Sequence, residues 1–187
     1  MSANGKQNPF RLGFLMAIEV AGHGFMGGLL VTNHQGRPLE FQCTTPVKPN
    51  RTQQILYGPT LEPFLLGELI GRTLVQKIGV KPHLILAEQR EILELRQHID
   101  VPVACLVEDD NSVPVMSADS ERGVSTSGGD EFVNLGRQRL RFHQSHAADR
   151  SLIQQHAGKV PSDADLREPF QRIREALDEA MQSGTTR

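Results

Sequence analysis

Tryptophan is absent from this 187-residue chain, and tyrosine occurs once against eight phenylalanines. So thin an aromatic set argues against a base-stacking platform, which leans on exposed rings. Cysteine is scarce too. Cys43 and Cys105 sit far apart inside apolar segments, and they read as small buried hydrophobes of a reducing compartment, with nothing in the sequence to pair them. Nor is there an excess of charge of either sign: 20 Lys and Arg face 22 Asp and Glu, a formal net charge of -2. No global positive field draws nucleic acid or anionic lipid, so either contact must rest on a local patch. No stretch reaches the ~18 apolar residues of a membrane helix. Lys6 and Arg11 do precede an apolar run from Leu12 to Ile18, but Glu19 interrupts it, so it reads as a strand rather than a leader. A cytoplasmic protein is the expectation, with no membrane partner.

What is present supports a core. Hydrophobic residues make up 38% of the chain, enough for one α/β domain of ordinary size. Residues 1–9 are polar and read as a disordered N-terminus. The core domain spans 10–108. "FRLGFLMAIEV" is a strand candidate, and "GFMGGLLVTNHQGRPLEFQC" a hairpin turning at Gly36, with Leu39, Phe41 and Cys43 expected inward. A short helix is expected from Arg51 to Tyr57. Thr60 then reads as the N-cap of a longer, widely apolar helix that Gly79 ends. "HLILAE", "QREILELRQHI" and "VPVACLVE" follow as strand, amphipathic helix and strand, a β-α-β unit whose short apolar strands suit a parallel sheet. Residues 109–130, rich in Ser, Gly and acids, read as a flexible linker or loop. The segment 131–183 adds one strand, "EFVNLGRQRLRFHQ", and a C-terminal amphipathic helix, expected to pack on the core. That helix is expected from about Asp163 to Ser183, with Leu166, Phe170, Ile173, Leu177 and Met181 as its stripe, while Pro169, tolerable only in a first turn, would move its start nearer Glu168. The fold class is therefore a mixed sheet: a three-stranded antiparallel meander, then α-β-α-β, then the terminal helix.

That order, with Glu19 closing the first strand, a Gly-rich "AGHGFMGG" approach to the second, "PNRTQQI" opening the first helix and Glu88 at the tip of the fourth strand, resembles the ribonuclease H-like superfamily over about residues 12–108. The resemblance implies acidic ligands at these places holding two divalent metals, Mg²⁺ or Mn²⁺, for phosphodiester cleavage. This chain departs from the pattern. It has Glu rather than Asp on the first and fourth strands, and neutral Gln53 or Gln54 at the helix position. Glu19, Glu88, Asp109 and Asp110 are the candidate metal and catalytic acids. The triplet Glu108-Asp109-Asp110 follows the fifth strand, where open α/β sheets take ligands beyond their carboxyl ends.

Two other constellations stand out. "HQSHAAD" spaces His143, His146 and Asp149 at i, i+3, i+6, with His156 beyond, but lacks HExxH, CxxC or a nearby Cys. "GRQRLRF" places Arg137, Arg139 and Arg141 on one face of a strand, a basic ladder suited to phosphates or an acidic partner. The alternative for that ladder is pairing with the helix acids Glu175, Asp178 and Glu179. Walker A, G-x-G-x-x-G after a strand, and G-x-S-x-G are all missing, so no cofactor is called for. With no complete catalytic set, the sequence favours a non-catalytic binding or scaffold protein rather than an enzyme, with a protein partner or second copy engaged through the C-terminal helix. The alternative is a divalent-metal-dependent phosphodiesterase or nuclease of RNase H-like fold, acting on nucleic acid.

Overall fold

The computed structural model describes residues 10–107 and 132–184. The expected N-terminal tail, the linker and the acids Glu108, Asp109 and Asp110 lie outside the described residues. The described chain forms β1 (Arg11–Val20), β2 (Gly24–Asn33), β3 (Pro38–Cys43), α1 (Arg51–Tyr57), a π-helical segment (Pro63–Gly71) running into α2 (Arg72–Lys77), and β4 (Leu84–Ala87). A 3-10 helix (Arg90–Gln97), β5 (Val103–Leu106), β6 (Phe132–Leu135), β7 (Gln138–Phe142), α3 (Ala148–His156) and α4 (Glu168–Gly184) complete it.

All seven strands join one mixed sheet in the order β3-β2-β1-β4-β5-β7-β6. β1, β2 and β3 are the antiparallel meander, β4 is parallel to both β1 and β5, and β7 returns antiparallel to β5. This is the expected α/β order, and the same meander and parallel strands underlie the RNase H-like resemblance. The central strands read as unbroken apolar runs because both faces are covered. Leu15, Leu29, Ile85 and Cys105 face the π segment and the 3-10 helix. Phe14, Leu86 and Leu140 face α4, whose Phe170, Ile173 and Leu177 complete the opposite core. Phe14 and Phe170 meet edge to face at 5.5 Å. Full burial of each such side chain stabilises by about 1.5–3 kcal/mol before entropy costs, so the terminal stripe belongs to the chain's own core. No described helix is long and apolar enough to cross a membrane.

Several elements differ from the sequence reading. β3 is an edge strand that the helices do not cover, so Leu39 is 44% and Phe41 36% exposed, and only Cys43 packs partly against the core. "EFVNLGRQRLRFHQ" is a hairpin rather than one strand. Gly136 turns it at φ 56°, where a Cβ would come within 2.5 Å of the Ala164 carbonyl oxygen. The helix at 90–97 is 3-10 rather than α. Thr60 does not cap the long helix, since its Oγ1 donates to the Tyr57 carbonyl. At the far end, α2 stops at Lys77 with Ile78 extended, and beyond it the Glu40 carboxylate accepts from the Gly79 and Val80 amides.

Candidate functional site

Because β1, β4 and β5 are parallel, their carboxyl ends meet one edge of the sheet, and Glu19 and Glu88 both stand there. Alternation along the strands then separates them. Glu19 continues the face of Leu15 and Ala17, toward the π segment, whereas Glu88 continues the face of Leu84 and Leu86, toward α4. Glu88 is accordingly paired with Arg174 of α4, at 3.3 Å, with both side chains partly in water. β5 ends at Leu106, two residues short of the acidic triplet that lies outside the described residues.

Between the two acids sits a residue the sequence reading missed. The register of β1 with β4 ends at Leu15 opposite Ala87. Beyond it the Gln89 side chain takes over: its Oε1 accepts from the Ala17 amide at 2.8 Å and its Nε2 donates to the Ala17 carbonyl at 2.9 Å. An amide mimics one rung of a β ladder and closes the gap where strands diverge. Nothing in a lone Gln after an apolar strand announces this, since the pairing depends on where β1 lies in space.

Cys105 lies under the same edge. Its Sγ donates to the Glu88 carbonyl, and burial pushes its pKa up to about 11 against opposing Arg141, so at neutral pH it is an uncharged thiol and a poor nucleophile. The Gln53 and Gln54 position falls on α1, which buries no residue. Gln53 is spent on a capping box, its side chain accepting from the Asn50 amide and its own amide donating to Asn50 Oδ1.

These positions test the metal that the resemblance implies. Among the described residues no group of three His, Cys, Asp or Glu could hold an ion. The two acids diverge across the sheet, and one is already neutralised by a guanidinium. The described residues therefore do not make a two-metal centre. The histidine constellation fares no better. Asp149 is taken by Arg96, Oδ2 to Nε at 2.6 Å, in a buried ion pair. His143 Nδ1 accepts from the Ser145 amide, and His156 packs against Phe10.

The basic ladder is shorter than the sequence suggested. Arg137 lies in the β6–β7 turn, which leaves Arg139 and Arg141 on the strand face, both over the Phe132 ring at 4.6 and 5.3 Å. Arg141 stands directly opposite Cys105, which brings the ladder to the carboxyl end of β5. Among the described residues none of the three arginines forms an ion pair with Glu175, Asp178 or Glu179.

No family model matches this chain, and no curated protein matches it in sequence. Solved structures do. Human endonuclease V is 15% identical, with 94% of this chain and 87% of that chain covered, at a TM-score of 0.44. The catalytic domain of the human enzyme is 17% identical, covering 94% and 85%, at 0.45. Endonuclease V of Ciona intestinalis, in complex with a 24mer DNA containing an inosine followed by a ribo-adenosine, is 10% identical, covering 92% and 87%, at 0.46. Likenesses this distant concern the fold alone. The non-catalytic scaffold reading and the lean against an enzyme both give way, because the similar structures are those of a nuclease. The physical support for a scaffold has gone as well: the amphipathic helix meant for a partner is filled by the chain's own sheet.

Proposed function

We propose that this chain processes nucleic acid, as a phosphodiester-cleaving enzyme on an RNase H-like frame whose working edge is the carboxyl end of β1, β4 and β5. One observation carries the reading. Three parallel strands bring Glu19, Glu88 and the carboxyl end of β5, at Leu106, to the same edge of the sheet. Open α/β sheets bind ligands at that edge. The guanidiniums of Arg139 and Arg141 border it, which suits a polyanionic strand in a chain whose overall charge does not.

Divalent-metal dependence belongs to this reading, and carboxylate oxygens would suit Mg²⁺ or Mn²⁺. The described acids do not complete such a centre, so the chain's own contribution is limited to three roles. Glu88 is a carboxylate kept beside Arg174, Gln89 holds the two strand ends together, and the arginines position a phosphate backbone.

The test is a cleavage panel. End-labelled single- and double-stranded DNA and RNA, with and without an inosine, are incubated with the full chain in Mg²⁺, Mn²⁺ or chelator. Metal-dependent cleavage of at least one strand, lowered 10-fold or more by Glu88→Gln or Glu19→Gln, is the expected result. Intact strands under every condition would overturn the proposal.

A further inference from the structure

A cavity of about 450 Å³ opens between the 3-10 helix and the end of β7, running from Arg90 and Arg141 beside the carboxyl ends of β4 and β5 to His143 and Ser145 toward the amino end of β5. Its polar wall is Arg90, Glu91, Glu94, Arg141, His143 and Ser145. That volume lies within the range of small-ligand sites, and two guanidiniums enter it from different elements. Neither Arg90 nor Arg141 makes an ion pair among the described residues. Arg141 Nε is buried and has no hydrogen-bond acceptor among them. A buried guanidinium N–H without an acceptor is costly, and an incoming oxygen would satisfy it. The Phe132 ring beneath the Arg141 guanidinium holds its plane.

The carboxylates decide which anion fits. Glu94 accepts from Gln97 Nε2 at 2.7 Å and lies 3.7 Å from His143 Nε2. His143 Nδ1 accepts from the Ser145 amide. Two guanidiniums face the carboxylates of Glu91 and Glu94, so the cavity has no surplus positive charge and repels a dianion more than a monoanion. A phosphodiester carries one negative charge, whereas a terminal phosphate or free phosphate carries closer to two.

We infer that this cavity seats an internal phosphate of a single nucleic-acid strand, with Arg90 and Arg141 donating to its oxygens. The inference rests on the proposed function and names the part of the substrate that the edge would hold.

Fluorescence anisotropy of the full chain tests it, using a labelled single-stranded oligonucleotide without terminal phosphates, the same strand 5′-phosphorylated, and inorganic phosphate as competitor. Arg90→Gln, at an exposed position, should weaken binding about 10-fold, as should Arg141→Gln. Each should flatten the slope of log K against log salt by about 0.7, one single-strand phosphate contact. Adding the terminal phosphate should change little, and inorganic phosphate should compete only weakly. Unchanged affinity and slope in Arg90→Gln would overturn the seat even if Arg141→Gln failed to fold. Preference for the 5′-phosphate, or strong competition by inorganic phosphate, would overturn the diester assignment. Arginine-dependent binding without cleavage would keep the seat and remove the nuclease reading. Cleavage and binding that both ignore Arg90→Gln would remove the seat alone.

Discussion

The two faces of the sheet are covered in different ways. One carries α4, a regular 17-residue helix whose apolar stripe matches the sheet beneath it. The other carries a π segment of nine residues and a 3-10 helix of eight, both away from α geometry. A regular helix spreads its contacts over a long stripe. The irregular pair instead brings backbone close to backbone. A Cβ at Gly67 would lie 2.9 Å from the Leu95 amide nitrogen, so the π segment and the 3-10 helix touch where only glycine fits. The cavity with Arg90 and Arg141 opens on this second face. Cavities open on both faces, but the one on the irregular side is where two arginines from different elements converge.

The comparison breaks first, and hardest, at Phe170. Phe170→Ala should cost about 3–5 kcal/mol by chemical denaturation, because it empties a fully buried ring site under α4. A loss under 1 kcal/mol would mean that α4 is not the structural face. Next comes the ion pair joining the 3-10 helix to α3. Asp149→Ala strands Arg96 in a mostly buried place and should cost about 3 kcal/mol. An unchanged midpoint would show that this pair does not anchor the irregular face.

Two adjacent glycines of β2 sharpen the contrast because they point to opposite covers. A Cβ on Gly27 would meet Ile70 of the π segment at 2.1 Å, and one on Gly28 would meet Ile173 of α4 at 2.8 Å. Gly27→Ala should therefore destabilise more than Gly28→Ala, within the roughly 1–3 kcal/mol of an overpacked core. Equal losses would say that both covers yield alike.

The smallest effect is with pH. Burial lowers the His83 pKa below its ordinary value, and the neutral Nδ1 accepts from the Arg11 amide. The folded state then resists protonation more than the unfolded state does. This contribution is full above the unfolded His pKa and is lost as pH falls below it toward the lowered folded value. The Glu40 carboxylate, also lowered by the Gly79 and Val80 amides, loses its contribution further into acid, as pH falls through its folded pKa. Melting temperature should fall slightly between pH 7 and pH 5, and His83→Gln should flatten that first decline.

Much of the fold was legible because it rests on local pattern. The meander, the β-α-β order and the α4 stripe each follow from apolar periodicity, and Pro169 marked the start of α4 correctly. Three features rest on tertiary context and were not legible. Alternation in β3 turned Leu39 and Phe41 toward a face, but only the positions of the helices decide whether that face is covered. "GRQRLRF" read as one strand because the alternation of Arg139 and Arg141 is real, while the turn at Gly136 moved Arg137 off the ladder. Glu19 and Glu88 stand at the ends of β1 and β4, yet strand parity sends them to opposite faces, a consequence of how the two strands are offset. Gln89 became visible only with β1 beside it.

The central claim is that nucleic acid meets the irregular face at the carboxyl edge, and amide hydrogen exchange of the full chain, with and without a saturating single-stranded oligonucleotide, tests it most directly. Slowed exchange over 90–94 and 139–145, with no change along α4, is the expected result. Protection confined to α4 or the β3 edge, or none at saturation, would contradict it.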